Sequence, residues 1–294
     1  RAQGDSAGAL DALRRTLEVR ERLAALDPSN TAWQRNLSTG QMAVADVLRS
    51  RGEWDEARRL YDQALAARGR LAVDDPNNTA NQAGIAAAHV GLGETCRLQQ
   101  DWNGALDHYR RAFEIRRGLA ERDPSNAGWQ EGSAAAKNRI GMILLARGDV
   151  ARARGAFEDA RVTMEALLAR NPDNTLWQTH RAAAQQGLGA VLVAEGRPTD
   201  ALQAYETACA TRERFAAQDP DNTVWLFERA RCLLGRSAAR AAAGDSPAAA
   251  TDRRDALAGF EDLMARDPSN AEWRMLRDEA RAYLAAPAPA PPEP

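Results

Sequence analysis

The tetrapeptide Asp-Pro-Ser-Asn at Asp27 returns in close variants at Asp75, Asp123, Asn171, Asp219 and Asp267, each copy starting 48 residues after the one before. No insertion or deletion breaks that frame. Trp33, Trp129, Trp177, Trp225 and Trp273 follow in it, with Asn81 in the place of one Trp. Ala9, Ala57, Ala105, Ala153, Ala201 and Ala249 share a second position, and four residues on come Leu13, Tyr61, Tyr109, Phe157, Tyr205 and, as the one exception, Arg253. A chain this periodic must stack copies of one supersecondary unit, each burying the face its neighbour offers.

The unit reads as two helices. Trp33, Leu37, Val44 and Leu48 fall at helical intervals, as do Ala57, Tyr61, Ala64, Leu65 and Leu71. The Leu71 position is apolar in every copy: Leu23, Leu71, Leu119, Leu167, Phe215 and Leu263. Proline in the tetrapeptide stops one helix, and Asn30 or the residue after it caps the next, as at Asn78, Asn126, Asn174, Asn222 and Asn270. The shorter break carries Gly4, Gly52, Gly148, Gly196 and Gly244, with Gln100 in the third copy, where a helix end favours the left-handed conformation. Pro198 and Pro247 fall where a second helix begins and a missing N–H costs little. Ala45, Gly93, Gly141, Gly189 and Ser237 mark a close helix approach. The expected fold is all-α, an α-solenoid (a right-handed superhelix) of antiparallel helix pairs with a 48-residue period. It has about 12 helices of roughly 20 residues.

Composition narrows function. Arg plus Lys is 39 against Asp plus Glu 41, a formal net charge of −2, with no footprint for nucleic acid or an anionic membrane. No apolar run is long enough to cross a bilayer. Cys96, Cys209 and Cys232 show no CxxC pairing and read as reduced thiols of a cytoplasmic protein. No phosphate loop, nucleophile elbow or metal cluster is present, so the segment is read as no enzyme, without cofactor or metal. His89 and His108 sit on different helices of one unit and are expected to be neighbours. The tryptophans Trp33, Trp129, Trp177 and Trp225 are read as wedges between units, with Trp129 and Trp177 buried there.

The string from Val44 to Asn78 resembles a tetratricopeptide repeat: Val44, Ala45, Leu48, Gly52, Trp54, Ala57, Tyr61 and Ala64 precede the Asp75 tetrapeptide in that family's order. The third copy matches through Leu92, Gly93, Cys96, Trp102, Ala105, Tyr109 and Ala112. The usual unit has 34 residues, so 14 are extra here, about two turns on each helix; such long-helix forms are similar to arrays in large bacterial regulatory and scaffold proteins. The solenoid is expected to cover 1–285. It comprises a half repeat at 1–28, full repeats from about 29, 77, 125, 173 and 221, and a capping helix over 270–285. A Pro/Ala-rich tail follows at 286–294. Arg1 aligns with Arg49, which suggests part of a longer multidomain array.

The resemblance implies a role in binding a protein or peptide, with the first helix of each unit lining the concave face. Carried over by register, Met42, Asp46, Arg49, Val90, Glu94, Arg97, Asn138, Met142 and Gln186 are the candidate contacts, charged at one end and smaller and more apolar at the other. Asp46 and Glu94 speak against a clamp for a terminal carboxylate. The convex face, with Arg116 as its example, reads as generic solvated surface. Alternatives are head-to-tail self-assembly through the truncated first repeat, giving a homo-oligomer, and a regulatory segment attached to an upstream catalytic domain.

Overall fold

A computed structural model describes residues 6–285; Gly4 and the tail at 286–294 lie outside them. The described residues form twelve helices and no strand. These are α1 (Ser6–Leu26), α2 (Thr31–Ser50), α3 (Trp54–Asp74), α4 (Thr79–Leu98), α5 (Trp102–Arg122), α6 (Ala127–Ala146), α7 (Val150–Arg170), α8 (Thr175–Ala194), α9 (Pro198–Gln218), α10 (Thr223–Ala242), α11 (Ser246–Arg266) and α12 (Ala271–Ala285). From α2 onward, both the even- and the odd-numbered helices start in the 48-residue frame of the sequence. Each helix packs on the next; α2 also touches α4, α6 touches α8, α8 touches α10 and α10 touches α12, and Arg139 on α6 reaches Glu94 on α4. The even helices therefore form an inner layer and the odd helices an outer one.

Local chemistry sets both breaks. At the tetrapeptide, Asn30 is extended, and its Oδ1 accepts from the backbone N–H groups of Ala32 and Trp33 at 3.1 Å. Asn78, Asn126, Asn174, Asn222 and Asn270 cap α4, α6, α8, α10 and α12 in the same way, satisfying donors that a helix start leaves free. At the shorter break, Gly52, Gly148, Gly196 and Gly244 take φ of +74 to +86°. The chain then closes a Schellman-type bond, as from Glu53 N–H to the Leu48 carbonyl at 2.9 Å. Gln100 adopts the same conformation at φ 61°, alone among the described non-glycine residues.

Four of the outer helices, α3, α5, α7 and α9, anchor the core by an aromatic at one position of the frame. Tyr61, Tyr109, Phe157 and Tyr205 are buried, and small residues on the inner helices admit them. A Cβ on Gly141 would lie 2.8 Å from Phe157, and Cβ atoms on Gly189 and Gly235 would lie 2.8 and 2.6 Å from Tyr205. Gly187 is pressed still harder against Phe157, and Gly91 against Tyr61. Arg253, the exception to the aromatic frame, is buried beneath the Tyr283 ring of α12, where it completes the last unit by cation–π stacking.

Three expectations need correction. The tryptophans are half-buried rather than fully buried: Trp33, Trp129, Trp177 and Trp225 each keep one edge at the surface beside the capped turn. Trp225 stacks edge-on against Phe215 at 4.2 Å. Asn81, in the place of a Trp, is the deeper residue and donates to the Leu71 carbonyl at 3.2 Å. Cys209 and Cys232 are joined in a disulfide between α9 and α10 and are not free thiols; only Cys96 is free, and it is buried. Their 23-residue separation spans the α9–α10 turn, so stacking brings together cysteines that no short motif pairs. Leu23, at a position buried in the later copies, is 37% exposed beside Val19 and Leu26 on α1.

Candidate functional site

The inner helices enclose one continuous cavity of about 510 Å³, lined from α2 round to α12. Asp46, Arg49, Val90, Glu94, Arg97, Asn138 and Met142 line it; Met42 and Gln186 do not. Met42 packs on the core cluster around Val44 and Tyr61. Gln186 donates to the Arg231 carbonyl at 3.4 Å, and Asn138, at the same register in the preceding unit, donates to the His180 carbonyl at 3.0 Å. Both amides join neighbouring inner helices through their NH2 groups, while Asn138 Oδ1 and Gln186 Oε1 are buried without a hydrogen-bond partner among the described residues.

The charged end is an ordered network. Tyr61 donates to Asp46 at 2.6 Å and accepts from Arg49 at 3.3 Å. Glu94 accepts from Arg97 and, across to α6, from Arg139, each at 2.8 Å. Burial works to raise the Glu94 carboxyl, but Arg97, Arg139 and Arg49 overcome it and hold that group well below the usual carboxylate range. Burial likewise opposes the charge on Arg97, yet Glu94 and Glu272 hold its guanidinium above its ordinary value. At the far end, Glu228 pairs with Arg212 and with Arg231 at 2.5 and 2.9 Å, and His180 meets Glu131 at 2.8 Å.

Arginine is in excess. Six arginines line the cavity against four carboxylates, Asp46, Glu94, Glu228 and Glu272. Two of the six come from the outer layer, through a position that sequence reasoning passed over: Arg20, Arg68, Arg116 and Arg212 share one place in the frame. Each reaches inward between inner helices. Arg20 donates to the Asn36 carbonyl at 3.2 Å, Arg68 to that of Ala80 at 3.2 Å, and Arg116 to that of Gly132 at 2.9 Å. Gly40, Gly84 and Gly132 make room for these guanidinium groups. Arg116 therefore belongs to the concave cavity and not to the convex face, correcting the reading of it as outer surface. It has no carboxylate at ion-pair distance among the described residues. Burial, followed by the nearby Arg139, lowers its pKa.

The arrangement holds fixed hydrogen-bond donors over a curved wall and a small apolar recess. The recess, about 200 Å³, is bounded by Leu176, Phe215, Val224 and Trp225 and shares Arg212 and Glu228 with the main cavity. No group of three metal-ligating side chains occurs among the described residues, and none of their helices is long and apolar enough to cross a membrane.

Residues 36–118 match the tetratricopeptide repeat family model. No curated protein matches the chain. Among solved structures, the chain is similar to BtubC (BKLC) from P. vanneervenii, with 19% identity and a TM-score of 0.58 over 99% of this chain and 96% of that one. It also aligns with a putative kinesin light chain from Podosopora anserina that has nearly identical TPR-like repeats, at 21% identity and a TM-score of 0.44 over 77% of this chain and 95% of that one. A further alignment is to YrrB, described as a TPR protein with an unusual peptide-binding site, at 16% identity and a TM-score of 0.38 over 90% and 99% of the two chains. The first of these shows the solenoid fold.

Proposed function

We propose that this chain, whose residues 36–118 carry tetratricopeptide repeats and whose helical frame runs on to α12, is a scaffold that binds a partner polypeptide along its concave face. Repeats of this family mediate contacts between proteins. One observation carries the reading: the frame is constant where it builds the core and variable where it lines the cavity. The aromatic position is kept from Tyr61 to Tyr205, whereas among the residues that line the cavity Asp46 becomes Glu94 and then Met142 in the same frame, and Val90 becomes Asn138. A wall that changes from unit to unit suits a ligand read along its length, as an extended peptide or one face of a helix.

The test begins with peptides selected from a random displayed library on the wild-type chain. Their affinity is then measured for a variant carrying Ala87→Trp and Ala183→Trp, which fill the groove in two units without touching a charge. At least a tenfold loss is expected, with Arg117→Glu on the outer layer neutral. Peptides that bind both proteins equally well would place the binding face elsewhere. Self-assembly is the second reading, favoured by the exposed Val19, Leu23 and Leu26 on α1. Light scattering over a concentration series tests it: a mass that stays monomeric rejects it.

A further inference from the structure

The last helix of the array, α12, reaches back to the first units. Arg97 on α4 donates to Glu272 on α12 at 2.8 Å across 175 residues of sequence, and both side chains are only 21% exposed. Beside this pair, the α2–α3 turn meets the first residue of α12. A Cβ on Gly52 would lie 3.2 Å from the Ala271 Cβ, so glycine there serves the close approach as well as the positive φ. The solenoid thus closes a ring around its own concave cavity.

Glu272 departs from the repeat at this point, whereas Arg97 keeps the arginine of Arg49. The position of Glu272 is Ala32, Ala80, Gly128, Leu176 and Val224 in the earlier copies, so the last alone is acidic. Arg97 is followed in its frame by Leu145, Val193 and Ala241. A residue that merely solvates a helix end has no need of a partner four units away. The charge balance points the same way. Arg97 and Arg139 share the single carboxylate of Glu94, with Arg49 close by, and Arg116 has no ion pair among the described residues. Against Arg49, Arg97, Arg116 and Arg139, this end of the cavity otherwise has only the carboxylates of Asp46 and Glu94, and Glu272 supplies a third.

We infer that Glu272 is a built-in stand-in for a ligand carboxylate: it holds the ring shut by occupying Arg97, and an acidic peptide segment opens the ring by taking its place. This rests on the concave-face reading above and names the partner's chemistry and its control. In the closed ring, the ligand must displace an intramolecular competitor, so its apparent affinity is lowered by the fraction of molecules that are closed. A single, still partly solvated ion pair with one van der Waals contact beside it can be displaced by a competing carboxylate yet biases the equilibrium.

The experiment compares the wild type with Glu272→Gln and Arg97→Gln, using a fluorescein-labelled hexaglutamate peptide read by anisotropy and the radius of gyration read by small-angle scattering. Glutamate in a helix's first turn also suits the helix dipole, so melting temperature alone decides nothing. Glu272→Gln is expected to bind about 3- to 10-fold tighter and to have a larger radius. Arg97→Gln is expected to enlarge the molecule but to lose binding. A labelled hexalysine should not bind. In about 1 M salt the wild type should expand towards the dimensions of Glu272→Gln. Equal affinity and equal dimensions for the wild type and Glu272→Gln would overturn the latch. In that event, a hexaglutamate still lost on Ala87→Trp/Ala183→Trp would leave the concave-face reading standing. Hexaglutamate binding to none of the ring-open proteins would overturn the acidic ligand.

Discussion

His89 and His108 face each other with Nδ1 atoms 3.0 Å apart between α4 and α5. Only one proton fits between two nitrogens that close, so at least one ring must be neutral. Burial first, then His108 and Arg111, push His89 down to about 4, with Asp107 opposing. His108 is lowered chiefly by burial; Asp107 and Asp62 raise it, while Arg111 and Arg58 lower it. Below an ordinary value of 6.5 the unfolded chain takes up protons that the folded chain refuses. The stability from this pair is therefore complete above about pH 6.5 and is lost as pH falls towards 4. His89→Gln should flatten the stability curve across that window by about 1–3 kcal/mol, measured by denaturant titration at several pH values; an unchanged slope would contradict a neutral pair. Packing offers a second contrast. Gly187 abuts the Phe157 ring, whereas a Cβ on Gly155 would meet nothing within 4 Å. Gly187→Ala should cost about 1–3 kcal/mol by overpacking, while Gly155→Ala on α7 should stabilise by about 0.4–1 kcal/mol. Melting temperatures moving in the same direction would contradict this account.

At the scale of the element, the determinants are local, and this is why the helices were legible in the sequence. Asn30 and Gly52 act on donors and carbonyls within a few residues of themselves, so a frame of caps and glycines fixes the helix ends before any tertiary contact is known. The charged site was legible only in part for the opposite reason. Asp46, Glu94 and Arg97 stand out by register, but Arg139 reaches Glu94 across 45 residues and Glu272 reaches Arg97 across 175. Arg116 enters the cavity from a helix assigned to the outside. The cysteine pair and the half-exposed tryptophans escaped for the same cause, since both depend on how far one helix pair rotates on the next. Gln100 tests the local side of the argument. Its positive φ of 61° costs a side-chain-bearing residue about 1–2 kcal/mol, while glycine adds freedom to the unfolded chain. Gln100→Gly should therefore gain about 0.5–1 kcal/mol, seen as a higher denaturation midpoint with an unchanged m-value; a loss would mean that the Gln100 side chain makes a stabilising contact.

For the whole molecule, the question is whether closure of the ring makes the array one cooperative body or leaves it a chain of neighbours. Each unit buries its aromatic anchor against the inner helix of its own unit and that of the next, as Phe157 does between Gly141 and Gly187. The last helix meets the first units through a single ion pair and the touch of Gly52 on Ala271. The energy per interface is thus far larger along the stack than across the closure, which is the condition for stability to add nearest-neighbour by nearest-neighbour. Phe157→Ala removes a fully buried ring and should cost about 3–5 kcal/mol at its own interfaces. Hydrogen exchange should then speed up in α6, α7 and α8, and to a lesser degree in α5 and α9, while α2, α3 and α11 keep their wild-type protection. A uniform rise in exchange from α1 to α12 would show that closure couples the ends as strongly as stacking couples neighbours. A rise confined to the middle fits a ring whose latch can open without unfolding the units on either side, as displacement of Glu272 by a ligand requires.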